Sequence, residues 1–188
     1  MIEREVKIAG AILNSAGTIL YPTDTIWGIG CDATRQESVR QVYHIKQRAD
    51  SKSMLVLVNG INMLREYLKN IPPGTMEIIE KAIKPTTIIY PEARNLAENL
   101  LAPDGSIGIR ITSDPFCQQL IEATGIPLVS TSANISGRNA PATFIEIDPS
   151  IRDQVDYVVN WRQEEYKTAS PSAIIKLDDD GRITTLRS

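Results

Sequence analysis

Two short segments of this chain carry side chains whose types and spacing suit chemistry. Lys46-Gln47-Arg48 sets two cations two residues apart, and Ser130-Thr131-Ser132-Ala133-Asn134 sets neutral hydrogen-bonding groups at the same interval. On an α-helix, residues i and i+2 point about 200° apart, whereas in extended backbone they share a face. Lys46 and Arg48 therefore act on one ligand only if the helix before them has ended. The same geometry aligns Ser130, Ser132 and Asn134 as a polar rail. Arg48 offers a planar fork for phosphate oxygens and Lys46 a point charge. Two cations facing a polar rail suit a polyphosphate with a small polar co-substrate.

Other residues narrow that chemistry. Arg110 lies in the apolar run Ile107–Ile111. A guanidinium there needs an anion, from the protein or from a ligand, and a substrate carboxylate would serve. Tyr21-Pro-Thr-Asp-Thr-Ile-Trp-Gly-Ile-Gly30 is rich in hydroxyls. Tyr21, Thr23 and Thr25 share a face if this stretch is extended; the other reading is a turn whose Thr and Asp side chains cap exposed amides. Gly28-Ile29-Gly30 lacks the rest of a dinucleotide fingerprint, and no G-x-x-x-x-G-K-[ST] occurs. A nucleotide site here is of another kind. His44 has no matched Ser, Cys or metal partner and reads as a surface residue. No His-x-x-x-His or carboxylate cluster points to a protein-held metal, and Asp178–Asp180 reads as a hairpin turn.

The elements that must position these groups follow from periodicity. Ile2, Val6, Ala9, Ile12 and Leu13 form a helical stripe, ended by Gly17. A second helix runs from the polar start Thr34–Glu37 to Lys46, and Met54–Val58 reads as a buried strand stopped by Asn59-Gly60. Helices are expected at Ile61–Leu68 and Thr75–Ala82, with strands at Thr18–Tyr21, Thr86–Tyr90, Ser106–Ile111 and Pro127–Ser130. Asp114-Pro115 starts a helix closed by Gly125. Thr143-x-x-Glu146 has the form of a capping box. Tyr157–Asn160, Ala173–Leu177 and Ile183–Leu186 complete the strands, the last two as an antiparallel hairpin. Alternation of strands and helices predicts a single α/β domain over residues 1–188, built on one mixed sheet.

The 188 residues carry a net charge of −3, which argues against a dedicated nucleic-acid clamp. Two cysteines, Cys31 and Cys117, without metal spacing read as reduced structural thiols. No apolar run approaches the ~20 residues of a membrane span, and the first residues lack a signal-peptide core. A cytoplasmic location, with no membrane partner, is expected.

Taken together these motifs resemble the YrdC-like threonylcarbamoyl-AMP synthases. Tyr21–Gly30 resembles that family's opening strand and loop, Ile45-Lys-Gln-Arg48 its Lys-x-Arg motif, Ser130-Thr-Ser-Ala-Asn134 its Ser-x-Asn motif, and Ser170-Pro-Ser-Ala-Ile174 its C-terminal Ser-Pro-Ser-Thr-Ile stretch. The order is the family's, and the match is to its short, single-domain form. Departures fall at Ala49 and Ser53, where many relatives carry proline, at Lys84–Thr87, and at Ala173. The resemblance implies a twisted mixed parallel/antiparallel sheet flanked by helices around a basic concave cavity. It implies a nucleotidyltransferase forming threonylcarbamoyl-AMP and pyrophosphate from L-threonine, bicarbonate and ATP with Mg²⁺. The product would pass to a transferase complex that modifies tRNA adenosine 37 (the t6A modification). By motif position, Lys46, Arg48, Ser132 and Asn134 would hold ATP, with Ser106 near the nucleotide; Thr23, Arg110, Ser130 and Ser170 would hold threonine. Lys46 and Arg48 would offset charge on the departing pyrophosphate. Two other readings are a non-catalytic double-stranded RNA or tRNA-binding factor using the same cavity, and carbamoyl transfer to another acceptor.

Overall fold

A computed structural model describes residues 1–47, 54–165 and 170–188. Helix α1 (Ile2–Asn14) buries Val6, Ala9 and Leu13, the stripe that its 3.6-residue periodicity predicts. It packs on α5 (Pro115–Thr124). Asp114 caps α5 by accepting from Phe116 N at 2.9 Å and Cys117 N at 3.0 Å, and Gly125, at φ 68°, ends it. Between them in sequence lie α2 (Gln36–Ile45), α3 (Ile61–Glu66) and α4 (Thr75–Lys81), with the short α6 (Pro149–Arg152) following later.

The strands are β1 (Ile19–Tyr21), β2 (Gly28–Gly30), β3 (Leu55–Val58), β4 (Thr86–Tyr90), β5 (Ile107–Ile111), β6 (Leu128–Ser132), β7 (Tyr157–Val158), β8 (Ala173–Leu177) and β9 (Ile183–Arg187). Among the described residues they form one sheet in the order β7-β1-β2-β6-β3-β5-β4-β8-β9. Three parallel pairs (β1 with β7, β3 with β5, β4 with β8) stand among antiparallel ones, so the expected mixed α/β sheet is present.

Side-chain alternation along the central strands sets up the site. On β5, Ile109 and Ile111 face the side where Leu64 of α3 and Ile78 and Ile79 of α4 lie. Gly108 and Arg110 face the other side. On β4, Ile88 and Tyr90 go with the helices, and Thr87 and Ile89 go opposite. One face of the sheet is thereby packed with apolar side chains, while the other carries hydroxyls and a guanidinium.

Three features add to or correct the sequence reading. Gly28-Ile29-Gly30 is a strand inserted between β1 and β6, although glycine disfavours strands. Clearance explains it: a Cβ at Gly30 would lie 2.4 Å from the Val129 carbonyl and 2.6 Å from the Tyr21 ring. Without that Cβ, the Tyr21 hydroxyl donates to the Val129 carbonyl at 3.0 Å. Second, β6 runs on to Ser132, because β2 supplies partners for Thr131 and Ser132. Third, the capping box at Thr143 does not form. Thr143 makes no side-chain cap bond, and the Glu146 carboxylate accepts from the Ala142 amide at 2.8 Å over a single 3-10 turn.

Candidate functional site

The hydroxyl-bearing face of the sheet is the floor of a cavity of about 410 Å³. Register explains which groups meet there. Leu55 of β3 lies beside Ser130 of β6, and Ser132 lies beside Gly28 of β2. Farther across, Thr87 of β4 pairs with Ile174 of β8, which pairs with Arg187 of β9. Small residues at Gly28 and Gly108 keep the floor low, and Trp27, Asn134 and Arg138 rise around it. Among the described residues, the lining carries Arg110, Arg138 and Arg187 and no carboxylate.

The polar rail lies on one wall. Ser130, Ser132 and Asn134 all border the cavity. The amide of Asn134 donates to the carbonyls of Ile135 at 3.1 Å and Arg138 at 2.6 Å, which shapes the turn after β6.

Lys46 stands directly behind that wall. It is the residue at which α2 ends, and Gln47 then takes a left-handed conformation at φ 49°. The helix has therefore terminated at the point where a shared action of Lys46 and Arg48 requires it. The Lys46 ammonium is buried and donates to the carbonyls of Ser132 and Asn134, the latter at 2.7 Å, and to Asn134 Oδ1 at 3.3 Å. Arg48 lies outside the described residues, as do Ala49, Lys52 and Ser53.

Arg110 is 2% exposed, and the anion it needs comes from the protein. Its Nη2 donates to Asp24 Oδ1 at 2.8 Å and to Thr25 Oγ1 at 3.4 Å. Its Nε is buried and, among the described residues, has no hydrogen-bond partner. One edge of the guanidinium is thus satisfied, while the residue itself borders the cavity.

Three residues are not brought to the cavity. Thr23 takes the turn geometry: its hydroxyl donates to the Ile26 carbonyl at 2.8 Å and accepts from the Thr25 amide at 3.0 Å. It borders a separate hollow of about 90 Å³ beside Arg162, which pairs with Asp114 at 2.6 Å. Burial pushes the Asp114 carboxyl up, opposed by the Cys117 amide and by Arg162. The Ser106 hydroxyl donates to Asp104 Oδ1 at 2.5 Å, beside a different hollow lined by Lys176 and Asp178–Asp180. Ser170 is exposed; Ser172, in the same motif, borders the cavity instead, with its hydroxyl 2.8 Å from that of Thr87.

Arg187 escaped the sequence reading. It donates from Nε to the Ser172 carbonyl at 2.8 Å and from Nη2 to its hydroxyl at 3.4 Å. Burial pulls its guanidinium down, and the like charge of Arg110 does so further. Strand β9 is exposed along its length, so its periodicity gives no sign of which residue turns inward. Trp27 both lines the cavity and packs on Phe144, with ring centroids 4.8 Å apart. His44 is exposed, and the two cysteines are buried. Among the described residues no group of His, Cys, Asp or Glu is placed to hold a metal ion, and no helix is long and apolar enough to cross a membrane.

Comparison with known proteins adds relatives to this geometry. The model of the Sua5/YciO/YrdC family, described as telomere recombination, matches residues 11–188. A Methanocaldococcus jannaschii protein, provisionally named threonylcarbamoyl-AMP synthase, is 36% identical over 170 residues, covering 90% of this chain and 78% of its own. The Pseudomonas aeruginosa threonylcarbamoyl-AMP synthase is 30% identical over 154 residues, covering 81% and 83%. Among solved structures, E. coli YciO superposes with a TM-score of 0.84 at 25% identity, over 98% of this chain and 89% of that one. P. abyssi Sua5 complexed with L-threonine superposes with a TM-score of 0.83 at 18% identity, over 97% of this chain. The chain spans about half the length of that Sua5 chain (53%).

Proposed function

The chain belongs to the Sua5/YciO/YrdC family, and on that premise we propose that it is a threonylcarbamoyl-AMP synthase, releasing pyrophosphate as it joins L-threonine, bicarbonate and ATP. One observation carries this reading beyond kinship. A cavity on the open face of the sheet sets the Ser130–Asn134 rail beside three arginines and, among the described residues, no lining carboxylate, which suits two anionic substrates held side by side.

The chemistry has two stages. The threonine amine adds to bicarbonate-derived CO₂ to give a carbamate, and a carbamate oxygen then attacks the α-phosphate, expelling pyrophosphate. Neither stage needs a covalent enzyme intermediate, so positioning and charge stabilisation supply the catalysis. Arg110, with Nε still unpartnered, takes the threonine carboxylate, and the Ser130 and Ser172 hydroxyls orient the amino acid. ATP enters as its Mg²⁺ complex along Ser132 and Asn134. Arg48, Arg187 and the charge of Lys46 behind the wall offset the growing charge on pyrophosphate. The adenylate then passes to the transferase complex acting on tRNA adenosine 37.

The test incubates the protein with ATP, labelled bicarbonate and each amino acid in turn. A labelled adenylate and pyrophosphate formed only with threonine are expected. Pyrophosphate release independent of threonine, or an equal yield with another amino acid, rejects the assignment.

A further inference from the structure

The Lys46 ammonium is 1% exposed and meets three oxygens of the adjoining turn: the Ser132 carbonyl, the Asn134 carbonyl at 2.7 Å and Asn134 Oδ1 at 3.3 Å. An ammonium carries three N–H donors, and these oxygens are enough to receive all of them. The lysine's own carbonyl accepts from the Ser136 amide at 2.8 Å, so main chain and side chain grip the same turn. Asn134 is held from its other end as well, since its amide nitrogen donates to the Ile135 and Arg138 carbonyls. The cation, the end of β6 and the loop beyond it thus form one hydrogen-bonded unit between the C-terminus of α2 and the cavity wall.

We infer that Lys46 is a positioning residue: it acts through Ser132 and Asn134, holding the wall in its binding shape before a nucleotide arrives, and does not itself touch the phosphates. This rests on the reading that the cavity takes ATP. Its charge still contributes to the field in the cavity, but its donors are directed at protein. The consequence is that the first cation of Lys46-Gln47-Arg48 builds the wall.

Two measurements decide it. In ligand-free protein, Lys46→Met should accelerate hydrogen exchange at the Asn134, Ser136 and Arg138 amides by about tenfold or more, with the central strands β3 and β5 little changed, as expected for local opening. In a double-mutant cycle, Lys46→Met and Asn134→Ala should each raise the ATP KM by roughly tenfold and leave the threonine KM within about twofold. Together they should lose little more than the worse single variant, because both remove the same contact. Unchanged ligand-free exchange, or losses that multiply, overturns the inference. If Lys46→Met does not fold, the wild-type protein serves. The ¹⁵N–¹H signal of the Lys46 ammonium should persist at neutral pH without ligand, and its absence overturns the inference. The exchange and ammonium readings need no turnover, so they stand or fall separately from the proposed synthase activity.

Discussion

At the scale of single residues, the Arg110–Asp24 pair is the clearest case of structure deciding between two readings. The sequence required an anion for Arg110 and left its source open; Asp24 supplies it, with side-chain exposures of 2% and 8%. Removing one partner of such a pair leaves a buried charge uncompensated, so Asp24→Asn should cost ~3–5 kcal/mol in a denaturant titration. Asp24→Asn combined with Arg110→Met should recover much of that stability while abolishing threonine-dependent turnover. Arg187→Ala should raise a substrate KM about tenfold with little change in stability, since the residue lies on an exposed edge strand and a charge-assisted contact is worth ~1.5–3 kcal/mol. Steady-state kinetics with threonine and ATP varied separately would show which substrate it serves. The polar rail and the helix exit at Lys46 were legible because both depend on local spacing. Arg187 and Ser172 were not, because a register eighty-odd positions away from Thr87, with a bulge between Ile174 and Ile175, decides what they face.

At the scale of elements, strands bounded by punctuating residues were readable and those built on exceptions were not. Thr86–Tyr90 and Ala173–Leu177 have the limits that their apolar runs and flanking turns imply. Strand β2 was hidden because Gly30 serves clearance for Tyr21, not flexibility. Gly30→Ala should therefore destabilise by about 3 kcal/mol, the upper end for overpacking, since the Val129 carbonyl in its path is backbone. Thermal and denaturant melts would measure the loss. The cap of α5 offers a pH test. Burial raises the Asp114 carboxyl above its ordinary 3.8. A raised folded-state value means that this group's contribution is fully present below the unfolded value and is lost as pH rises through the folded one. As pH rises through and above the ordinary 3.8, wild-type stability should therefore fall relative to Asp114→Asn.

At the scale of the whole molecule, one sheet with two unlike faces explains why a cavity forms where it does. Apolar side chains of β4 and β5 meet the helices on one side, while the alternate positions, with Gly28 and Gly108, leave the other side low and polar. Segments far apart in sequence then converge: the Tyr21–Gly30 loop, the end of β6, the Ser170–Ile174 stretch and the last strand. The central claim is that threonine and ATP occupy this one hollow together. A crystal structure of the protein with L-threonine and a non-hydrolysable ATP analogue tests it most directly. We predict the threonine carboxylate on Arg110 and the nucleotide along Ser132 and Asn134, within reach of each other. Either ligand seated outside this cavity, or the two on opposite faces of the sheet, would contradict the account.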